Sequence, residues 1–211
     1  MATVAEALRI GLADQGRRMT IQEFLDAEEE EGYRYELARG VLEVSYVPGS
    51  LHGLIVCALY RMLAAYWERH PRHIFRFGGA AEFRVFIPAM VSGRNPDVAV
   101  SLRDTPRNDR GDPPPSLAIE VVSEGDEART RDYVTKREEY LVFGLGEYWI
   151  VDRFLRRVTV LERRGQSWVE HVFGDGDSAE SHVLPGFAVP VAELWAAADG
   201  ASENDETDEN P

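Results

Sequence analysis

With 211 residues, 44% of them hydrophobic, the chain is long enough to bury a substantial core in one domain. It contains no apolar run of about 18 residues, which argues against a transmembrane helix. The formal net charge is −14, and leaving out the six acidic residues of the C-terminal tail still leaves −8. This acidity counts against a high-affinity, non-specific nucleic-acid binder. The arginines between Arg61 and Arg110 either line a local basic groove or are ordinary surface charges.

The two ends of the chain differ in composition from its centre. Residues 1–18 lack the continuous apolar centre of a signal peptide, so we predict a flexible N-terminal segment and a cytoplasmic location. Residues 199–211 are acidic and lack aromatic residues, which predicts a disordered tail. We expect one domain over residues 19–198. Cys57, the single cysteine, excludes an internal disulfide, and its helical surroundings predict a buried thiol.

The first half of this domain predicts a short helix, a hairpin and a long helix. Thr20 and Glu23 form a capping-box pattern at the start of the short helix. Residues 33–47 predict two strands with Gly40 in the turn. Apolar residues then recur at helical spacing over residues 51–66, for about five turns.

The second half predicts strands interrupted by one helix and closed by another. The predicted extended segments are 75–87, 97–102, 117–122, 147–152, 157–162 and 167–173, and the predicted helices are 128–143 and 191–198. Segments 97–102 and 117–122 are rich in β-branched residues, which is typical of strands buried on both faces. This order of elements favours a mixed α/β sheet flanked by helices.

Two carboxylates stand in these buried strands. Pro96 is tolerated at the start of a strand, where its missing N–H costs no ladder hydrogen bond, and Asp97 follows it. Glu120 lies among apolar neighbours, where an unpaired carboxylate is costly. Glu120 therefore needs either a cationic partner or a metal ion, and the sequence leaves both open.

Lys136 offers a third group for the same place. It borders the apolar face predicted for helix 128–143, and its flexible stem can extend from that rim toward Glu120. That face comprises Tyr133, Val134, Tyr140 and Leu141. The alternative is a surface ion pair between Lys136 and Asp132, one helical turn earlier. Two carboxylates and an amine at one place could hold a divalent cation against a phosphodiester.

Six motifs, in this order, resemble the Uma family of "putative restriction endonucleases" within the PD-(D/E)XK nuclease superfamily. They are Tyr35-Glu36-Leu37-Ala38-Arg39-Gly40, His52, Pro96-Asp97, Ile119-Glu120-Val121-Val122-Ser123, Asp132 to Lys136 to Tyr140, and Glu147-Tyr148-Trp149-Ile150-Val151-Asp152. The similarity runs from about Met19 to Trp195. It implies a restriction-endonuclease-like core, with a central mixed sheet flanked by helices.

The resemblance also implies a metal site. Asp97 and Glu120 would bind Mg²⁺ or Mn²⁺ together with the backbone carbonyl of Val121, and Lys136 would be a catalytic residue. Glu36 matches a family position and is either a further acidic ligand or a hairpin charge. His52 either contacts a phosphate from the start of its helix or makes a structural hydrogen bond.

The chain departs from the superfamily pattern at two places. The standard lysine would fall at Val122, which is apolar, and the Uma pattern supplies Lys136 from the helix instead. Residues 123–126 lack the proline-containing turn expected after the strand.

The function implied is metal-dependent hydrolysis of DNA, with a homodimer suggested by analogy with restriction enzymes. The rival hypothesis is a nuclease-like scaffold that no longer cuts and acts as a binding or regulatory module. Net acidity and Val122 favour the scaffold, whereas retention of Asp97, Glu120 and Lys136 together favours the enzyme. A glycosidase using the two acids leaves Lys136 unexplained.

Overall fold

The computed structural model describes residues 8–108 and 111–205. These residues form two compact units. Unit 1 contains residues 8–47 and 84–95, and unit 2 contains residues 48–83, 96–108 and 111–205. The single domain expected over residues 19–198 stays a prediction.

Most of the described strands belong to two sheets, one in each unit. In chain order they are β1 (Arg9–Ile10), β2 (Glu28–Glu29), β3 (Tyr33–Ala38), β4 (Val41–Tyr46), β5 (Ile74–Gly78), β6 (Val85–Ile87), β7 (Ser92–Arg94), β8 (Val98–Leu102), β9 (Leu117–Val121), β10 (Glu147–Asp152), β11 (Arg157–Arg164), β12 (Ser167–Phe173), β13 (Ser178–Glu180) and β14 (Ala188–Pro190).

The α-helices of the described residues vary from one to five turns. They are α1 (Ile21–Asp26), α2 (Ser50–Arg69), α3 (Asp126–Thr130), α4 (Lys136–Phe143) and α5 (Val191–Asp205). A π-helical segment, Arg131–Thr135, joins α3 directly to α4. Short 3₁₀ turns occur at Leu12–Asp14 and Pro88–Met90.

Unit 1 is built on a four-stranded sheet with the order β4-β3-β7-β6. The predicted hairpin is present: Ala38 pairs with Val41, and Arg39 and Gly40 form the two-residue loop with φ of 49° and 75°. Positive φ at both loop positions is the type I′ geometry that matches strand twist. The predicted capping box of α1 is also present, between Thr20 and Glu23.

Unit 2 is built on a six-stranded mixed sheet with the order β12-β11-β10-β9-β8-β5. Strands β9 and β10 are parallel, and the other neighbours are antiparallel. All residues of β9 and β10 are buried, and for β9 this is the burial on both faces that its sequence predicts. The central mixed sheet predicted from the sequence is confirmed.

The two faces of this sheet pack against different helices. One face carries Ile119 and Trp149, and it lies in one apolar cluster with Leu59 of α2 and Leu194 of α5. The other face carries Glu120, whose side chain contacts α4. Side chains alternate between faces along a strand, so Glu120 projects away from the main apolar cluster.

The ends of the chain differ in part from the predictions. Residues 1–7 and 206–211 lie outside the described residues, but Ile10, within the N-terminal segment predicted to be flexible, is buried in the core of unit 1. Helix α5 runs to Asp205, seven residues past its predicted end at Ala198. Disorder of the tail stays a prediction.

Two further sequence expectations concern α2 and the membrane. The buried thiol predicted at Cys57 is wrong, because the buried positions of α2 follow helical spacing through Ile55, Ala58 and Leu59, and Cys57 falls outside that stripe and is exposed. Among the described residues, no helix combines the length and the apolar character needed to cross a membrane.

Candidate active site

Asp97 stands immediately before β8 and beside the end of β9. Continuing the β8–β9 register one residue beyond the pair Val98 and Ile119 places Asp97 opposite Glu120. The N–H of Val121 donates a hydrogen bond to Oδ2 of Asp97 at 2.8 Å. The main chain at the end of β9 therefore holds the Asp97 carboxylate next to Glu120, as the sequence predicted for neighbouring strand ends.

Glu120 is 2% exposed and has a cationic partner. Its Oε1 lies 2.9 Å from Nζ of Lys136 and accepts a hydrogen bond from the hydroxyl of Tyr140 at 2.7 Å. Both partners come from α4, one turn apart. The ion pair and the hydrogen bond together offset the cost of burying this carboxylate.

Lys136 is itself 2% exposed, so of the two alternatives left open by the sequence the contact with Glu120 is present and the surface position is not. Its Nζ also lies 3.6 Å from Oδ1 of Asp132, which is buried too, and the amine therefore lies between two carboxylates. Arg131 adds a second cation, with Nε 3.4 Å from the same oxygen of Asp132.

The helix face that carries Lys136 is polar, contrary to the predicted apolar stripe. The buried residues of the π-helical segment and α4 are Asp132, Lys136, Glu139 and Tyr140, whereas Val134 is 60% exposed. Asp132, Lys136 and Tyr140 recur every four residues, so the buried face keeps helical spacing, and its polar side chains lie against the charged Glu120. The hydroxyl of Tyr148 donates to the main-chain oxygen of Asp132 at 2.9 Å, which ties this segment to the sheet.

His52 lies in the first turn of α2 and contacts the other acid of the pair. Its Nε2 is 3.3 Å from Oδ1 of Asp97, which favours the structural alternative of the sequence analysis. Nδ1 of His52 is buried and has no hydrogen-bond partner among the described residues. The sequence contains no motif that predicts the pairing of His52 with Asp97.

Tyr60, two turns further along α2, lies on the main-chain side of Asp97. Its hydroxyl is 3.5 Å from the Asp97 carbonyl oxygen. Burial, followed by the negative charges of Glu82 and Asp97, raises the pKa of Tyr60 from 10 to about 12. Gly79 makes this approach feasible, because a Cβ there would lie 2.6 Å from the Tyr60 hydroxyl.

Glu36 belongs to unit 1, where it contacts the end of β7. Its Oε2 lies 3.3 Å from Nη1 of Arg94, and its Oε1 accepts a hydrogen bond from the N–H of Asn95 at 2.8 Å. Arg94 is fully buried and also pairs with Glu43, the cross-strand neighbour of Glu36. These contacts favour the hairpin-charge alternative for Glu36, and a catalytic role stays a prediction.

Val122, at the position of the superfamily's standard lysine, is 1% exposed, and its N–H donates to the carbonyl of Val151 at 2.9 Å. Lys136 therefore supplies the amine next to Glu120. The donor set near Asp97 and Glu120 consists of carboxylate oxygens at adjacent strand ends, which is the ligand type that Mg²⁺ and Mn²⁺ prefer. The residues present fit a hard divalent cation in donor type.

Comparisons with known proteins identify the family and the fold. Residues 21–192 match the profile of the Uma2 family, described as "Putative restriction endonuclease". The fold is similar to the crystal structure of "a putative nuclease belonging to DUF820" from Anabaena variabilis ATCC 29413, with a TM-score of 0.68 and 18% sequence identity over 85% of this chain and 99% of that chain. No curated protein matches the sequence. The restriction-endonuclease-like fold class predicted from the sequence is confirmed, and this chain belongs to the Uma2 family.

Proposed function

We propose that this protein is a divalent-metal-dependent endonuclease that hydrolyses phosphodiester bonds of DNA. The family description supports a nuclease. The observation that carries the proposal is the buried pair of Glu120 and Lys136, 2.9 Å apart, next to Asp97 at the adjoining strand end. A scaffold with only a structural role would gain as much stability from apolar residues at such positions.

Asp97 and Glu120 are the residues that would hold Mg²⁺ or Mn²⁺. The carbonyl of Val121 is the proposed third ligand, because its N–H points toward Asp97 and a residue in an antiparallel ladder directs both main-chain groups to the same neighbouring strand. When bound, such an ion polarises the phosphate and lowers the pKa of a water molecule.

Lys136 supplies the positive charge on the side of Glu120. Its ammonium donates hydrogen bonds, so it orients the attacking water and offsets the negative charge that develops on the phosphorus oxygens. Tyr140 keeps Oε1 of Glu120 in place, and Asp132 keeps Nζ of Lys136 near it. His52 fixes the rotamer of Asp97 through Oδ1. These three are positioning residues.

The proposed substrate is DNA, acted on in the cytoplasm by a homodimer in which each subunit addresses one strand. Because the net charge is −14, affinity must come from local contacts to phosphates and not from the overall field.

Nicking of supercoiled plasmid in Mg²⁺ or Mn²⁺ tests turnover. Asp97→Ala, Glu120→Ala and Lys136→Met should each abolish nicking. The control is Arg137→Met, at the residue that follows Lys136: it breaks an exposed ion pair with Glu170 and should nick as the wild type does. Equal nicking by all variants would mean that the activity comes from a contaminant.

Calorimetric titration with Mn²⁺ separates the enzyme from the silent scaffold. The wild-type protein should bind Mn²⁺, and the Asp97→Ala variant should not. Absence of carboxylate-dependent uptake, together with absence of nicking, would assign the protein to the binding or regulatory class.

A further inference from the structure

A second cluster of ligand-type side chains lies at the other end of the unit 2 sheet. Glu162, His171 and His182 each offer one ligand atom, and these atoms all lie within 4.8 Å of one another. Oε2 of Glu162 is 3.8 Å from Nε2 of His171 and 3.7 Å from Nδ1 of His182. One carboxylate oxygen thus faces two imidazole nitrogens.

The strand register builds this cluster. His171 of β12 pairs with Val160 of β11, and Glu162 lies two residues along β11 from Val160. Side chains two residues apart share a face, and diagonal neighbours on adjacent antiparallel strands approach within reach of long side chains. Glu162 and His171 therefore project side by side from the same face.

His182 reaches the cluster from the segment after β13, and Glu147 fixes that segment. The carboxylate of Glu147 is fully buried and accepts hydrogen bonds from the main-chain N–H groups of His182 at 2.6 Å and Val183 at 3.3 Å. It also accepts one from the hydroxyl of Ser181 at 2.8 Å. Since Glu147 pairs with Glu162 across β10 and β11, the anchor lies beside the cluster.

One ligand-type atom of the cluster is left without a partner in the part of the chain that the structure describes. Nε2 of His171 is buried without a hydrogen-bond partner among the described residues, and at 3.8 Å it is too far from Glu162 to form one. The imidazole rings of His171 and His182 lie 5.0 Å apart between centroids, tilted by 32°. Arg164 contacts Oε1 of Glu162, so the other oxygen, Oε2, is the one directed at both rings.

The cluster is separate from the candidate active site. Glu162 shares the sheet face of Val160, which belongs to the main apolar cluster, whereas Glu120 projects from the opposite face. Glu120 pairs with Ile150, three residues along β10 from Glu147, which is about 10 Å along the sheet. One ion cannot contact both sets of side chains.

We propose that Glu162, His171 and His182 bind one Zn²⁺ ion, which links strands β11 and β12 to the segment that follows β13. Two imidazole nitrogens and one carboxylate oxygen favour Zn²⁺ over Mg²⁺, which prefers oxygen ligands. Ligand atoms of a tetrahedral zinc site are about 3.3 Å apart, so the separations of 3.7 and 3.8 Å must shorten by a few tenths of an ångström. The two nitrogens, which lie within 4.8 Å of each other, must come to the same spacing. The side chains of His171 and His182 are 37% and 38% exposed, so a water molecule can supply the fourth ligand.

Titration of the chelator-treated full chain with Zn²⁺ tests the proposal. Calorimetry should give one equivalent, and Co²⁺ in its place should give the visible absorption of a four-coordinate site. His171→Ala and His182→Ala should each weaken binding by about tenfold or more, and Zn²⁺ should raise the Tm of the wild type but not of these variants. His70→Ala removes a histidine outside the cluster and serves as the matched control.

Three outcomes would overturn the proposal: no uptake of Zn²⁺ by the wild type, equal affinity in His171→Ala, or an equal loss in His70→Ala. Glu162→Gln gives an independent test if a histidine variant fails to fold. The Asp97→Ala variant should still bind one equivalent of Zn²⁺, and excess Mg²⁺ should not displace that Zn²⁺. The result therefore does not depend on the proposed nuclease activity.

Discussion

Nζ of Lys136 lies 2.9 Å from Oε1 of Glu120, and both side chains are almost fully buried. Each charge is the compensating partner of the other in a place with little solvent. Removing one charge of this ion pair therefore leaves the other charge buried without compensation, at its full desolvation cost.

Lys136→Met should lower the free energy of unfolding by about 3–5 kcal/mol, because Glu120 is left buried with less positive charge nearby. Arg137→Met, which breaks the neighbouring exposed pair, should cost about 0–1 kcal/mol. Urea denaturation measures both. The double variant Lys136→Met/Glu120→Gln should lose less than the sum of the single losses; simple additivity would show that the pair is not coupled.

Tyr140→Phe should cost about 1.5–3 kcal/mol, because it removes a hydrogen bond to a buried carboxylate. Tyr148→Phe is the matched control, since its hydroxyl donates to a neutral main-chain oxygen, and about 0.5–1.5 kcal/mol is expected there. Thermal or urea denaturation compares the two variants. Equal losses would contradict a charged Glu120 as the acceptor.

Gly79→Ala should destabilise the protein by about 1–3 kcal/mol, because the new methyl group would lie 2.6 Å from the Tyr60 hydroxyl and 3.0 Å from the Asp97 carbonyl oxygen. The cost should be smaller in a Tyr60→Phe background, where the nearer contact is gone. Gly53→Ala in α2 meets no atom within 4 Å and should instead stabilise by about 0.5–1 kcal/mol. Chemical denaturation measures the change in unfolding free energy of each variant. A change of the same sign for Gly79→Ala and Gly53→Ala would contradict the close packing at Gly79.

Tyr60 gives a pH dependence with a defined sign. The fold raises its pKa from 10 to about 12, so the folded state favours the neutral phenol. The stability that follows from this shift is fully present below pH 10 and is lost as the pH rises through 12. The unfolding free energy of the wild type should therefore fall more steeply between pH 10 and 12 than that of Tyr60→Phe. Urea denaturation at each pH gives the unfolding free energy of both proteins. If the two free energies fell in parallel with pH, this prediction would be wrong.

His52→Gln tests whether the contact with Asp97 positions that carboxylate. Glutamine can donate a hydrogen bond as imidazole does, so His52→Gln should keep more nicking activity and more Mn²⁺ affinity than His52→Ala. Nicking rates and calorimetric titration measure the two effects. Loss of activity in His52→Ala with unchanged Mn²⁺ affinity would place His52 on the substrate side of the site.

Much of the unit 2 sheet was predictable because its strands have distinctive local sequences. The observed β10, Glu147–Asp152, has the predicted bounds, and the order of acids along β8 and β9 predicted that Asp97 and Glu120 would be neighbours. Glu120 was also identified by its chemistry, since a carboxylate among apolar residues requires a partner. These predictions depended on short-range patterns.

Long-range contacts escaped the sequence analysis. Pairing of His52 with Asp97 joins residues 45 positions apart in the chain, and no local pattern specifies it. Strands β13 and β14 are three residues each, too short for a clear alternation, and the cluster around Glu162 was missed with them. For Lys136 the local pattern leaves contact with Glu120 and a surface pair with Asp132 both open, because the choice depends on how the helix packs on the sheet.

The π-helical segment also sets how this helix can tolerate changes in length. A π turn holds one residue more than an α turn, and each residue of an α-helix advances by about 100°. Deleting the exposed Val134 would let the segment relax to regular winding while α4 stays bound to the sheet through Tyr140. Asp132 would then stand three residues before Lys136, a spacing at which helical side chains still meet, so the amine would keep both carboxylates. A single-residue deletion, with no change of chemistry at either charge, can thus shorten this helix without parting the two acids from the lysine that they share.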